Sequence, residues 1–165
     1  MTVTRSADRL ASAAIDESTP SGMRAGRYGT DRPSGRTIDE IMAAASRRLR
    51  RVGPLLAAAE MRAGALLADT RSQAQREVQG EVPGALLVER NVLEWRFDPA
   101  SAYRLPQVTG YEIRVIIMCA EGYSSVLAAV SLQDLGLVHA TDMVGGFGAW
   151  ARAGLPVIGG RQAAA

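Results

Sequence analysis

The sequence predicts an α/β fold in which helices cover both faces of a parallel β-sheet. Three observations carry that expectation. Short, unbroken apolar runs such as Val115-Ile116-Ile117-Met118 are what a strand buried on both faces requires. Stretches with helical spacing lie between these runs. The joints are short and punctuated by Gly, Pro and Asp, so the strands alternate with helices through right-handed crossovers.

Residues 1–36 are rich in Ser, Thr, Gly, Pro and Arg and read as a flexible tail, with a frayed helix near Arg9–Ile15. Thr37 is an N-cap, and Glu40 three residues on completes a capping box. Ile38, Ile41, Met42 and Leu49 then recur at helical spacing, and Arg47, Arg48, Arg50 and Arg51 form a solvated basic face. Gly53-Pro54 breaks this helix, and Leu55 to Met61 is a second, short one ended by Gly64.

Ala65-Leu66-Leu67-Ala68 is the next strand, with Asp69-Thr70-Arg71 at its end. A polar stretch, Ser72–Gln79, leads through Gly80-Glu81-Val82-Pro83-Gly84-Ala85 to the strand Leu86-Leu87-Val88. Glu89 to Arg96 is a short helix, and Tyr103 to Tyr111 is loop. The strand Val115–Met118 runs into Cys119, then Gly122, Ser124 and Ser125, and a helix from Ser124 to Leu135 stopped by Gly136 as its C′ residue. Ala140 to Val144 is a further strand. Gly145-Gly146 turns the chain into Phe147–Arg152, whose Trp150 belongs to the core. The organisation expected is a tail over 1–36, a domain over 37–158 and a flexible end over 159–165.

Composition narrows the chemistry. With 165 residues, 47% hydrophobic content and a net charge of +2, the chain suits one globular domain. No apolar run approaches the roughly 18 residues needed to cross a bilayer, and the N-terminus lacks a signal peptide's apolar core, so a cytoplasmic protein is expected. All 19 basic residues are arginine, which excludes Schiff-base and lysine-base chemistry. The single histidine, His139, excludes multi-histidine metal sites and falls at the far end of a strand from the site described next. Neither a metal nor a cofactor is expected. The basic face lacks interleaved aromatics, so neither nucleic acid nor membrane is expected as a partner.

Cys119 is the only cysteine, which fits a reducing compartment. A lone cysteine is often no more than a small buried hydrophobe. This one stands at the carboxyl end of a strand, where ligand sites of open α/β sheets lie, and before a helix N-terminus with unpaired N–H groups. A glycine loop there turns N–H groups inward as an anion nest, so the thiol ionises more readily than a free cysteine with its pKa of about 8.5. The candidate catalytic residue is Cys119. The candidate binding residues are Ala120, Glu121, Gly122, Tyr123, Ser124 and Ser125.

Four segments in order resemble one family. Asp69-Thr70-Arg71 is similar to its Asp-x-Arg signature, and Gly80 to Ala85 to its Gly-His-Ile-Pro-Gly-Ala, with Glu81 in place of the histidine. Cys119 to Ser125 resembles its active-site loop. Asp142 through Trp150, with Gly154-Leu155-Pro156-Val157, resembles its C-terminal signature. Over about Arg51 to Val157 the chain resembles a single-domain rhodanese. The resemblance implies a three-layer α/β/α sandwich around a five-stranded parallel sheet. It also implies a sulfurtransferase in which Cys119 takes a sulfane sulfur from thiosulfate or a persulfide and passes it to cyanide or a thiol, a sulfur-carrier protein being a further candidate partner.

Thiolate attack on sulfur is thiol–disulfide exchange chemistry, and a persulfide divides the transfer into two steps. Phosphatases of the related fold carry a loop one residue longer that ends in an arginine; here Ser124 and Ser125 stand at the loop's end, which favours sulfur. The Glu121 carboxylate is expected to repel a dianionic donor and to raise the cysteine pKa, so a persulfide donor is expected over thiosulfate. Arg90, past the end of Leu86–Val88, is a candidate to neutralise an anionic substrate. Asp69 and Arg71 are expected to fix geometry near the site. The competing functions are a non-catalytic rhodanese-like sulfur-sensing or protein-interaction module, and a single-cysteine redox protein, against which the absence of a resolving cysteine argues.

Overall fold

The structure, a computed structural model, describes residues 34–161, which fall almost wholly within one compact unit starting at Arg36. Residues 1–33 of the expected tail over 1–36, with its helix near Arg9–Ile15, and residues 162–165 of the expected end over 159–165 lie outside the described residues. In chain order the elements are α1 (Ile38–Arg48), α2 (Pro54–Arg62), β1 (Leu66–Asp69), α3 (Gln73–Gln79), β2 (Leu86–Leu87), α4 (Leu93–Phe97), β3 (Val115–Met118), α5 (Ser124–Asp134), β4 (Ala140–Asp142) and α6 (Gly146–Arg152). None of the described helices is long and apolar enough to cross a membrane.

The strands form one all-parallel sheet in the order β2-β1-β3-β4. β3 is central and fully buried, and its period-2 alternation divides the core into two layers. Val115 and Ile117 face a layer built from Ala45, Leu49, Leu93, Phe97, Val126 and Leu132 of α1, α4, α5 and their ends. Ile116 and Met118 face the other, which holds Ala57 and Ala58 of α2 with Phe147 and Trp150 of α6. Ile116 and Ile117 are wholly buried, each contributing roughly 1.5–3 kcal/mol by removal from water. The expected three-layer α/β/α sandwich is therefore present.

Two expectations need correction. The described sheet has four strands, not five. Where a fifth would lie beyond β4, Val52 makes a single parallel bridge to Met143. Val52 N–H donates to Asp142 O at 3.1 Å, and Val144 N–H donates to Val52 O at 2.9 Å. Gly53-Pro54 then opens α2, and a proline without an N–H cannot extend a ladder. The polar stretch after Arg71 contains a helix, α3, started by a Ser72–Gln75 capping box.

The basic face also divides. α1 begins at the Thr37–Glu40 capping box and ends at Arg48, with Leu49 already extended. Arg48 pairs with Asp134 of α5 at 2.6 Å. Arg51 lies past the helix, in the connector, and reaches inward.

Candidate active site

The three loops that follow β1, β3 and β4 meet at the carboxyl edge of the sheet. The segments after β1 and β3 line a hollow of about 260 Å³ with Thr70, Arg71, Gln75, Cys119, Ala120, Glu121, Tyr123 and Ser124. A larger hollow of about 530 Å³, beside Pro99 and Pro106, has no cysteine, histidine or carboxylate in its lining.

Cys119 stands at the end of β3 and is 7% exposed, so its sulfur is reached only through the hollow. Gly122 N–H donates to Sγ at 3.1 Å, and Sγ lies 3.3 Å from the Ser125 hydroxyl. Burial works against ionisation of the thiol. It is outweighed by the Ser124 and Ser125 hydroxyls and by the backbone N–H groups of Ser125 and Gly122, so the pKa falls below its ordinary value. The net shift is downward, opposite to the direction expected from the Glu121 carboxylate. The Glu121 side chain is exposed, and its oxygens stand beside Gly148, 3.3 Å from where a Cβ would lie, with Arg152 Nη1 at 3.2 Å from the same point.

The loop geometry follows from how the helices are capped. α1 and α3 satisfy their first-turn N–H groups with capping boxes. α5 has Tyr123 at its N-cap and no side-chain cap. Its N-terminal donors are therefore available to the sulfur. The loop's carbonyls are held outward by α6: Phe147 N–H donates to Cys119 O at 2.8 Å, and Gly148 N–H donates to Ala120 O at 3.0 Å. This approach requires glycine. A Cβ on Gly146, at φ +53°, would stand 2.3 Å from Cys119 O, and one on Gly122, at φ +79°, would stand 2.5 Å from Gly145 N.

The remaining expected residues divide between wall and periphery. Arg71 is buried and forms a fork with Asp69, Nη2 to Oδ2 at 2.6 Å and Nε to Oδ1 at 3.0 Å. It also donates to Gln79 Oε1 and Gly80 O, each at 3.0 Å, and its guanidinium lies 3.6 Å from the Phe147 ring centroid. Glu81, in place of the family's histidine, bridges Ile158 through its backbone and stands 3.5 Å from Arg76 Nε. Ala120 and Tyr123 line the hollow, Tyr123 being 73% exposed at its rim. Arg90 does not line it; its Nη1 pairs with Glu94 at 2.8 Å on α4.

Two residues at the site were not expected there. Asp142, wholly buried at the end of β4, takes a fork from Arg51, Nε to Oδ1 at 2.7 Å and Nη2 to Oδ2 at 2.8 Å. Arg51 Nη2 also donates to Gly122 O at 3.0 Å, beneath the cysteine loop. A charged residue closing an apolar strand just before Gly145-Gly146 was the available signal for Asp142. For Arg51 it was a position past the end of its helix.

The family model of the rhodanese-like domain matches residues 54–153. Among solved structures, a Rhodopseudomonas palustris protein of unknown function, described as a possible tyrosine phosphatase, is 31% identical with a TM-score of 0.68, over 79% of this chain and 100% of that one. A rhodanese-related protein of Thermoplasma volcanium is 19% identical with a TM-score of 0.54, over 66% and 97%. A thiosulfate sulfurtransferase of Pseudomonas aeruginosa is 23% identical with a TM-score of 0.54, over 68% of this chain and 20% of that longer one. No curated protein matches the chain.

Proposed function

The chain belongs to the rhodanese-like domain family, and from that premise we propose that it is a sulfurtransferase working through a persulfide on Cys119. The observation that carries this reading is the Cys119 sulfur on the floor of the hollow with Gly122 N–H directed at it. In the first step the Cys119 thiolate attacks the sulfane sulfur of the donor. The donor's bond to that sulfur breaks, and its electron pair leaves with sulfite or a thiolate. In the second step cyanide or a thiolate attacks the outer sulfur, and the electron pair of the Cys119 S–S bond returns to Sγ. No net oxidation of the protein occurs.

The outer persulfide sulfur carries a single negative charge, and inward N–H groups with the Ser124 and Ser125 hydroxyls suit it. A phosphoryl group calls for a cation that clamps two oxygens. From Cys119 to Ser125 the loop contains no arginine, and the nearest lining guanidinium, Arg71, is committed to Asp69. Sulfur transfer is thus favoured over the phosphatase chemistry suggested for the Rhodopseudomonas relative. Steady-state assays separate them. Thiocyanate release from thiosulfate or a small persulfide plus cyanide, lost in Cys119→Ser, supports the proposal. Hydrolysis of an aryl phosphate, with no thiocyanate from either donor, overturns it.

A further inference from the structure

A buried carboxylate outside the loop is linked to the sulfur. Ser125 Oγ lies 3.3 Å from Cys119 Sγ and 3.3 Å from Asp142 Oδ2, so one hydroxyl links the sulfur to the carboxylate. Arg51 holds both oxygens of Asp142 and the carbonyl of Gly122, whose N–H is on the sulfur. Four side chains and the backbone of Gly122 therefore close a ring.

The ring has fewer protons than acceptors. Ser125 has one hydroxyl proton. When Cys119 is a thiol, S–H donates to Ser125 and Ser125 donates to Asp142. When Cys119 is a thiolate or persulfide, the Ser125 hydroxyl can add to the donors on the sulfur only by turning away from Asp142. Asp142 tolerates the loss because Arg51 still covers both its oxygens. The thiol proton departs to solvent through the hollow.

We propose that Arg51 and Asp142 are a positioning pair that acts through Ser125 to set the charge state in which Cys119 rests. The inference deepens the sulfurtransferase reading. The Arg51 guanidinium titrates above its ordinary range, chiefly through its hydrogen bond to Asp142, against burial, with the charges of Asp142 and then Cys119 adding. Other charged or titratable groups lie around the sulfur. Arg71, from the β1–α3 joint, is paired with Asp69. Glu121 and Tyr123 are exposed in the loop, and Arg152 of α6 is exposed beside Gly148. α5 contributes only the Ser124 and Ser125 hydroxyls, and β3 contributes no charge.

The test is the pH dependence of Cys119 alkylation by iodoacetamide, with circular dichroism as the fold check. Arg51→Gln leaves Asp142 charged and holding Ser125, so the midpoint moves up and alkylation at neutral pH slows roughly tenfold. Asp142→Asn frees the hydroxyl and leaves Arg51 uncompensated, so the midpoint moves down. The double variant returns toward the parent, and in a Ser125→Ala background both displacements shrink. Shifts of the same sign, or none, in folded variants overturn the proposal. If Arg51→Gln does not fold, an Asp142→Asn midpoint that stays in place or moves up overturns the proposal. No sulfur donor is used, so this result is independent of whether Cys119 transfers sulfur.

Discussion

The Phe147 N–H donates to the Cys119 carbonyl at 2.8 Å, which fixes the second residue of α6 to the residue that follows β3. That bond exists because Gly146, at φ +53°, lets the two backbones touch. Gly146→Ala puts a Cβ into Cys119 O in a left-handed conformation. The expected loss is at least about 2 kcal/mol in urea unfolding, with slower alkylation of Cys119 in the folded fraction.

Asp69 and Arg71 are fully buried partners. Removing one charge leaves the other in a low-dielectric wall, so Asp69→Asn is expected to destabilise the fold by roughly 3–5 kcal/mol, measured by chemical denaturation.

Cys119 ionises below its ordinary range because loop hydroxyls and N–H groups outweigh burial. Alkylation is therefore expected to reach half its plateau below the pH of about 8.5 typical of free cysteine. Ser124→Ala removes one donor and moves that midpoint up, with a rate at neutral pH about tenfold lower. The folded protein binds fewer protons than the unfolded chain between the two midpoints. Its stability should accordingly rise with pH through that window.

Glu121 lines the hollow but lies in solvent, with Arg152 beside it. Its charge should act on an approaching dianion more than on the sulfur. Glu121→Gln is expected to raise kcat/KM for thiosulfate several-fold while leaving a monoanionic persulfide donor within twofold, in a thiocyanate assay. Equal effects on both donors would contradict a charge mechanism.

Arg90 is engaged by Glu94 away from the hollow. Arg90→Ala is expected to leave the donor KM unchanged and to cost less than about 1 kcal/mol, since a half-exposed i,i+4 pair contributes little.

The layers were legible because β3 and the start of β1 are continuous apolar runs, and the capping box at Thr37 and the glycine after α5 mark helix ends directly. The nucleophile's place was legible for the same reason: Cys119 ends an apolar run and precedes a glycine and a helix. α3 was missed because Ser72–Gln79 has no apolar stripe, although Ser72 and Gln75 form the capping box that starts it. The short edge at Val52 escaped because one bridging residue leaves no run to see. Arg51 was placed on a solvated face because it continues an arginine cluster. Its partner, Asp142, is ninety-one residues away, and only tertiary packing brings the two together.

The most direct measurement is the intact mass of the protein after incubation with thiosulfate and, separately, with a small-molecule persulfide, beside Cys119→Ser. One added sulfur atom, removed by cyanide and absent from the variant, is the predicted result. A folded protein that gains no sulfur from either donor would contradict the persulfide mechanism and leave a rhodanese-like binding module in its place.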